Sequence, residues 1–398
     1  MADNKNQHFV PKAYLRPFGS NDGKSINLHA LTSGRSVEGA SIKGQCSRNY
    51  FYGHEQIFDE FIRHFEGGYG EAIKRLINFE VEPRDIKRLL DFFVLQYLRT
   101  PHQLQQRLQV FEGYQNTVIG GQKLKEAHPP AQERFQPQRE MQQQIYVAAK
   151  AIDMLDDLRS VLLINRTATP FITSDNPASL TNRLYSQRYQ DGTSGLIQCG
   201  VAVYLPLTAR LAFIAYDADV YQPFGNGLEY HVWNANDVNR LNELQVQVAT
   251  ETLYFADWKD REYVEKVSRE CADRRRDFWT FIWTAIRDGE DAFFEKFRTA
   301  TVADDESTEP RITSVSMYTA VPSTWPTFLK FKLRPKGHRT GTAVGYIRSA
   351  HCERMMGTAA SPRIILPDVL ADNERIHEHG VMWLRKGRPS KLSKRGPA

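Results

Sequence analysis

Paired cysteines and long apolar runs are both missing from this 398-residue sequence. Its four cysteines, Cys46, Cys199, Cys271 and Cys352, are far apart and form no Cys-x-x-Cys. This usage predicts reduced thiols in a cytoplasmic protein and argues against a disulfide framework or a cysteine zinc site. No stretch of about eighteen apolar residues occurs, so we expect no membrane span. The N-terminus has no basic segment followed by an apolar one, and we expect no secretory signal.

The common catalytic motifs are absent as well. The sequence has no glycine-rich phosphate loop ending in Lys-Ser or Lys-Thr and no Gly-x-Gly-x-x-Gly. It also has no His-Glu-x-x-His and no Gly-x-Ser-x-Gly. His377 and His379 flank Glu378, but this spacing suits a strand and no third ligand is obvious, so we do not expect a metal there.

Acidic residues are missing from residues 311–352, although the net charge of the whole chain is only +5. The cations of that stretch are Arg311, Lys330, Lys332, Arg334, Lys336, Arg339 and Arg348. Residues 385–398 add further cations and no acid. The positive charge therefore accumulates at the C-terminal end, which indicates RNA or DNA as a partner.

Within this basic region, Lys330, Lys332 and Arg334 alternate with Phe331 and Leu333. In a β-strand the three cations would share one face, because successive side chains point to opposite sides. Cations beside aromatic rings suit single-stranded nucleic acid, with charges for the phosphates and rings for stacked bases. The alternative is a solvated strand face whose apolar side rests on a core.

The apolar pattern predicts an α+β protein. Short strands and turns are expected over residues 1–50, and Pro83 marks the start of a helix. Residues 103–150 are polar and helix-prone, which predicts a long helical excursion. Strand-like segments follow from Val161, and a further helix is expected over residues 236–254.

We expect a mixed helical and β core domain over residues 1–300, ending in a charged helix with an aromatic face over 263–298. The small, acidic segment 301–310 reads as a linker. Beyond it we expect a smaller, basic, β-rich domain over 311–384 and a disordered basic tail over 385–398.

Two segments carry a resemblance to a known family. The chain opens with Gln-His-Phe-Val-Pro-Lys-Ala-Tyr-Leu-Arg at residues 7–16, and an apolar strand ends in Ser-Asp-Asn-Pro at 174–177. They resemble an uncharacterised prokaryotic family whose pattern is roughly Gln-His-x-x-Pro-x-x-Tyr-Leu and, later, Ser-Asp-x-Pro. The weaker correspondences are Glu66, Arg99-Thr100-Pro101 and Asn242 through Ala249. The resemblance covers about residues 5–256, with no counterpart after Asp304. It implies a cytoplasmic α+β domain without an assigned activity, and some members lie in mobile or defence-related gene clusters.

His8 is the first candidate for chemistry, because an imidazole can accept or donate a proton near neutral pH. Tyr14 and Arg16 follow it closely and could orient it or bind an anion. The alternative is structural: His8 and Tyr14 would form hydrogen bonds that fix the N-terminal segment.

Asp175 and Asn176 lie at the end of an apolar strand, where polar side chains often face a ligand crevice. Asp175 could act as a base, orient His8 or bind a metal ion. The alternative is a turn, because Ser, Asp, Asn and Pro all favour turns and Asp side chains cap backbone amides.

Several polar residues interrupt apolar helical stretches and must find partners if they are buried. They are Glu66, Gln96, Arg99, Asn242 and Gln245. Arg99 could clamp a phosphate with its planar guanidinium. A buried structural network is the other interpretation, and the sequence leaves both open.

The function we expect is a nucleic-acid-cleaving effector, with prokaryotic defence as its context. Its catalytic residues would be His8 as general acid or base, Arg99 stabilising charge at phosphorus, Asp175 orienting His8, and Glu66. Tyr14, Arg16, Gln96, Asn176, Asn242 and Gln245 would bind the substrate, and Lys330, Lys332 and Arg334 would deliver it. The cofactor stays open, and a divalent metal ion held by Asp175 is one option.

Two further functions remain as alternatives. The same pocket could belong to a non-catalytic module that binds an anion, a nucleotide or a nucleic acid. The aromatic helix expected over residues 263–298 could instead make the protein an interaction scaffold, which would favour a partner protein or a homo-oligomer.

Overall fold

The computed structural model has the expected α+β architecture, with several sheets and flanking helices. It describes residues 6–54, 56–117, 135–188, 194–225, 227–275, 280–290, 294–304, 307–309, 311–339, 345–353, 363–364 and 381–385. The tail after Arg385, residues 118–134 of the predicted helical excursion, and the motif around Glu378 therefore lie outside the described residues. No helix of the described part is long and apolar enough to cross a lipid bilayer.

The helices are concentrated in the first third of the chain and around residue 240. Those described are α1 (Lys12–Leu15), α2 (Gln56–Ile77), α3 (Pro83–Leu98), α4 (Pro101–Thr117), α5 (Pro137–Ala151), α6 (Arg183–Arg188), α7 (Ala235–Val248) and α8 (Arg261–Glu270). The predicted start at Pro83 is confirmed: it is the first residue of α3, and Glu82 and Asp85 form a reciprocal capping box. Pro101 begins α4, so α3 ends at Leu98 because the residue before a proline avoids helical geometry.

The strands form three larger sheets and two small ones. The first nine are β1 (Asn6–His8), β2 (Ser25–Ala30), β3 (Arg35–Ser41), β4 (Ser47–Asn49), β5 (Arg159–Asn165), β6 (Thr173–Ser174), β7 (Ser179–Asn182), β8 (Val201–Pro206) and β9 (Leu211–Tyr216). The others are β10 (Glu229–Val232), β11 (Thr252–Phe255), β12 (Thr280–Glu290), β13 (Phe294–Thr299), β14 (Arg311–Met317), β15 (Lys336–Arg339), β16 (Tyr346–Ile347), β17 (Arg363–Ile364) and β18 (Val381–Arg385).

A five-stranded sheet in the order β10-β5-β9-β8-β7 forms the centre of the molecule. Both of its faces are buried. Leu162 and Phe213 pack on one face with the cores of α3 and α5, while Leu163 and Ile214 pack on the other with α7. Alternate residues thus belong to two different cores, which explains why these strands read as continuous apolar runs.

A second sheet, β3-β2-β11-β6, lies beside the first and connects distant parts of the chain. β2 and β3 pair antiparallel as a hairpin, within the segment where short strands and turns were expected. The segment leading to Ser174 pairs with β11 and not with β5, the strand that precedes it in the chain. Pro170 and the short connection before it carry the chain out of the first sheet, so the Ser-Asp-Asn-Pro motif ends a strand of the second.

The helix predicted over residues 263–298 is wrong beyond α8, which ends at Glu270. The structure has β12 and β13 instead, paired as an antiparallel hairpin. The run Thr280–Ile286 is rich in β-branched and aromatic residues, and these favour a pleated strand over a helix. The aromatic helix that suggested an interaction scaffold is therefore absent from the described chain.

Residues beyond 300 continue this third sheet, whose order is β14-β12-β13-β18. The acidic segment 301–310 lies between two strands, β13 and β14, that both pair with β12. The next segment packs on the central sheet, where Phe328 and Leu329 join the α7 core. The strand considered for Lys330–Arg334 is not formed, because only an isolated bridge between Phe331 and Tyr221 is present.

Candidate functional site

The opening segment is fixed by a glutamine next to the candidate histidine. Gln7 is buried, accepts a hydrogen bond from the backbone of Tyr52 at 2.7 Å, and donates one to the carbonyl of Gly53 at 3.0 Å. The backbone of His8 pairs with Ser47 and its carbonyl accepts the Tyr52 hydroxyl at 3.0 Å. The N-terminal motif is thus held rigidly against the loop after β4.

Tyr14 joins this segment to the central sheet. Its hydroxyl donates to the carbonyl of Pro206 at 2.6 Å and lies 2.8 Å from the hydroxyl of Thr173, and its ring is fully buried against Phe92. Burial raises the pKa of Tyr14 well above its ordinary value. The side chain is therefore neutral and anchors the opening segment to the central sheet. Arg16 is exposed on the turn after α1.

His8 differs from its neighbours because one ring nitrogen has no partner. Its Nε2 is buried and forms no hydrogen bond with any residue that the structure describes. Burial lowers the pKa of His8, the charge of Lys12 lowers it further, and a hydrogen bond to the backbone of Lys43 opposes them. The imidazole is therefore neutral at pH 7 and keeps a free nitrogen for a proton or a ligand.

Arg99 is the centre of a buried polar network at the end of α3. Its Nη1 lies 2.8 Å from Glu66 Oε1, and its Nε and Nη2 donate to Gln96 Oε1 at 3.1 and 3.0 Å. Gln96 in turn donates to the carbonyl of Phe9 at 2.9 Å. The guanidinium is completely buried, while 26% of the Glu66 side chain is exposed. Arg99, which was predicted to clamp a phosphate, is therefore bound by the side chains of Glu66 and Gln96.

A second network begins one residue later. The Thr100 hydroxyl donates to Asn176 Oδ1 at 3.1 Å, and Asn176 Nδ2 donates to the carbonyl of Val248 at 3.0 Å. Gln245 accepts from Ser174 at 3.0 Å and donates to Ser179 at 2.8 Å. All of these side chains are buried, so the carboxamides of Asn176 and Gln245 connect α7 to the motif at 174–177.

The Asp175 carboxylate is occupied by backbone donors. It accepts N–H groups from Thr250 at 2.8 Å, Glu251 at 2.7 Å and Thr252 at 3.2 Å. Burial raises the pKa of Asp175 to about 6, and the N–H groups of Glu251 and Thr250 oppose that rise. The side chain caps the turn between α7 and β11, as the turn interpretation expected, and it does not contact His8.

Asn242 completes the polar side of α7. Its Oδ1 accepts the backbone N–H of Ile172 at 3.1 Å, and its Nδ2 donates to the carbonyl of Pro170 and to the Tyr263 hydroxyl at 2.8 and 2.7 Å. Asn242 and Gln245 therefore clamp two ends of the same connecting segment. Both side chains are completely buried, and their hydrogen bonds to described groups give each a structural role.

The structure brings together only part of the predicted site. Arg99, Glu66 and Gln96 form one group. Asn176 and Gln245 form a second group through Ser174, and Thr100, the residue after Arg99, donates to Asn176. Neither Asp175 nor Arg99 is hydrogen-bonded to His8 within the described residues. Among these residues, no group of three or more His, Cys, Asp or Glu side chains is placed to hold a metal ion.

The basic segment presents its cations to solvent. Its backbone is held by Lys332 N–H donating to Val220, Gln222 N–H donating to Lys330, and Lys336 N–H donating to Asp219. The four side chains in question are those of Lys330, Lys332, Arg334 and Lys336. They form no ion pair with any residue of the described chain, and all but the half-buried Lys332 are exposed.

Sequence reasoning missed three acids that hold this C-terminal segment: Asp237 and Glu243, which are buried, and Asp157, whose side chain is partly exposed. Asp237 accepts the backbone and hydroxyl of Thr327, and Glu243 accepts the backbone N–H of Ser323 at 2.6 Å. Asp157 pairs with the buried Arg348 at 2.7 and 3.0 Å. The sequence offered one signal for these contacts. Acids interrupt otherwise apolar segments of the core, while residues 311–352 contain no acid of their own.

Comparison with known families agrees with the resemblance of the opening segment. Residues 6–259 match the family described as "Protein of unknown function (DUF4238)", close to the extent expected from sequence. No curated protein and no solved structure matches the chain. Because the family match covers more than half of the chain, the protein belongs to the DUF4238 family.

Proposed function

We propose that this protein binds nucleic acid through the phosphate backbone, using the basic segment 330–336. The observation that carries the proposal is the group of four cations, Lys330, Lys332, Arg334 and Lys336, that no described acid neutralises. Unpaired cations on a fixed backbone attract polyanions because binding releases the counterions condensed on the phosphates.

The geometry of Phe331 favours contact with phosphates over contact with bases. Its ring stacks on Tyr221 at 5.6 Å, and the guanidinium of Arg183 lies 4.8 Å from its centre. The ring is thus engaged by protein groups, and it is not the free stacking surface considered for single strands. Binding without base contacts carries no direct sequence readout, so we propose that it is sequence-independent.

A binding function also fits the saturated polar groups of the predicted active site. Arg99 is committed to Gln96 and Glu66, and Asp175 is committed to the backbone at Thr250 and Glu251. Groups that are buried and fully paired stabilise the fold, and they cannot move protons or bind a phosphate without breaking those bonds.

The test is fluorescence anisotropy of the full chain with labelled single-stranded RNA, single-stranded DNA and duplex DNA over a range of salt concentrations. Four phosphate contacts predict a slope of log K against log salt of about −3 to −4. The variant Lys330→Ala/Lys332→Ala/Arg334→Ala should reduce that slope by about 2 to 3 and weaken binding to all sequences.

A matched control removes three exposed cations elsewhere: Lys24→Ala/Arg35→Ala/Lys43→Ala. It changes the net charge equally and should leave the affinity nearly unchanged. Equal loss in both variants would show a general charge effect. If the Lys330→Ala/Lys332→Ala/Arg334→Ala variant binds as tightly as the wild type, the proposal that residues 330–336 bind nucleic acid is wrong, even if the basic tail binds it.

His8 keeps a second proposal open, the nucleic-acid-cleaving effector expected from sequence. Its Nε2, which has no hydrogen-bond partner among the described residues, is the one observation that favours this function, since a general base needs a free nitrogen. Purified protein incubated with RNA or DNA, with and without Mg²⁺ or Mn²⁺, should then produce fragments, and His8→Ala should abolish cleavage while keeping the native circular dichroism spectrum. Intact nucleic acid under all these conditions rules the proposal out.

A further inference from the structure

A cavity of about 450 Å³ lies at the edge where β5 ends and β9 begins. This volume is within the range of small-molecule sites. Its lining combines apolar side chains from the end of α2 and from the strands with polar groups of the two connecting turns. The residues are Ile77, Phe79, Ile164, Asn165, Arg166, Thr167, Thr208, Arg210 and Leu211.

Two arginines supply its charge. The backbone N–H of Asn165 donates to the carbonyl of Arg210 at 2.9 Å, so Arg166 and Arg210 emerge from neighbouring turns. Arg166 donates to His231 at 3.2 Å and Arg210 donates to the carbonyl of Thr167, and neither forms an ion pair with a described acid. Asp260 is near enough to Arg210 to feel its charge, but two guanidinium groups at one cavity still favour an anion.

A hydroxyl and a ring complete the lining. Thr208 Oγ1 accepts the backbone N–H of Arg210 at 3.0 Å and of Leu211 at 2.9 Å, which leaves its O–H proton free to donate. Phe79 contributes an aromatic ring that is 55% exposed. The cavity therefore presents charge on one side and a flat apolar surface on the other.

The backbone at Phe79 supports a role for that ring. Phe79 follows α2 with a φ of 60°, and its N–H donates to Leu76 while that of Glu80 donates to Arg75. This is the helix-ending motif in which glycine is strongly preferred at the left-handed position. A bulky side chain there is strained, and such strain is found at functional sites.

We propose that this cavity binds a small organic phosphate carrying a planar ring, with the phosphate at Arg166 and Arg210 and the ring against Phe79. The cavity is at the opposite end of β9 from residues 219–222, which hold the basic segment. The proposal is therefore independent of nucleic-acid binding by residues 330–336.

The test is isothermal titration calorimetry of the full chain with adenosine monophosphate, inorganic phosphate and adenosine. We expect the monophosphate to bind most tightly, because only it engages both parts of the cavity. Arg166→Ala and Arg210→Ala should each weaken its binding by about tenfold or more, the usual cost of one charged hydrogen-bonding group. Arg35→Ala, which removes an exposed arginine of β3, should leave it unchanged.

Phe79→Gly separates function from stability. It should weaken binding of the monophosphate by about fivefold or more through loss of stacking, while the thermal unfolding temperature stays the same or rises because glycine relieves the strain. No binding of the monophosphate at millimolar concentration, or binding that neither arginine variant changes, overturns the proposal. Equally tight binding of inorganic phosphate overturns the ring-bearing ligand class.

Discussion

The Asp175 carboxylate lies 2.7 Å from the backbone nitrogen of Glu251, and this contact joins the Ser-Asp-Asn-Pro motif to the turn between α7 and β11. Two further N–H groups of the same turn also point at the carboxylate. Three backbone donors thus depend on one buried side chain. The motif that looked most like a catalytic element caps a turn, and its loss should destabilise the fold.

Asp175→Asn should destabilise the protein by about 1–3 kcal/mol, because an amide offers one uncharged acceptor oxygen where the carboxylate accepts three backbone N–H groups. Urea unfolding followed by circular dichroism measures this loss. Asp22→Asn, in an exposed turn where asparagine is equally tolerated, is the matched control and should change stability little. A loss at Asp175 no larger than at Asp22 contradicts the capping role.

The network at the end of α3 predicts strong coupling between Arg99 and Gln96. In a double-mutant cycle with Arg99→Leu and Gln96→Leu, we expect a coupling energy of about 1–3 kcal/mol, since two hydrogen bonds to one buried oxygen are lost together. Gln96→Leu combined with Glu243→Gln, which shares no partner with it, should be additive. Additivity of the Arg99 and Gln96 variants would show that the two side chains act independently.

The sequence correctly predicted those helices and strands that a local pattern of apolar residues or a helix cap marks. The strands around Leu162 and Phe213 and the start of α3 at Pro83 were found from sequence, because burial on both faces and a capping box leave clear signals. The segment after Cys271 was misassigned because aromatic residues there are compatible with both periods. In the structure β12 pairs with β14, and this pairing makes the segment a strand. A pattern of neighbouring residues in the sequence cannot reveal a partner that lies so far along the chain.

The candidate site shows the same limit. The sequence indicated that Gln96 and Arg99 need partners, since both interrupt an apolar helix, and the structure supplies them. It could not indicate that Asp175 binds backbone N–H groups about 75 residues away, because backbone donors have no residue-type signature. The cavity at Arg166 and Arg210 was missed for a related reason: its residues come from turns that only the sheet brings together.

Acid should weaken the attachment of the C-terminal segment at Asp157. Burial alone would raise the pKa of Asp157, but hydrogen bonds from His351 and Arg348 outweigh it and lower the pKa to about 2. A lowered pKa in the folded state means that the stabilisation is complete above the unfolded value near 4 and is lost as pH falls toward 2. Because Asp157 is partly exposed and solvent screens the pair, the shift corresponds to about 1 kcal/mol.

The measurement compares urea unfolding of the wild type and Asp157→Asn at several pH values. The difference in unfolding free energy should be largest at pH 5 to 7 and should shrink steadily between pH 4 and pH 2. Comparison with Asp157→Asn cancels the titration of other carboxyl groups. A difference that stays constant with pH would mean that Asp157 is not charged in its pair with Arg348.

The docking of residues 318–329 on α7 gives the last prediction. Asp237 accepts the Thr327 N–H at 2.8 Å and its hydroxyl at 2.7 Å, so Asp237→Ala removes both hydrogen bonds to this buried carboxylate. Amide hydrogen exchange should then accelerate by roughly tenfold in this segment, the factor for about 1.4 kcal/mol of local stability. Exchange in β2 and β3, far along the chain, serves as the internal reference and should not change. If exchange accelerates equally in both regions, α7 itself has been destabilised and the contact is not a local anchor.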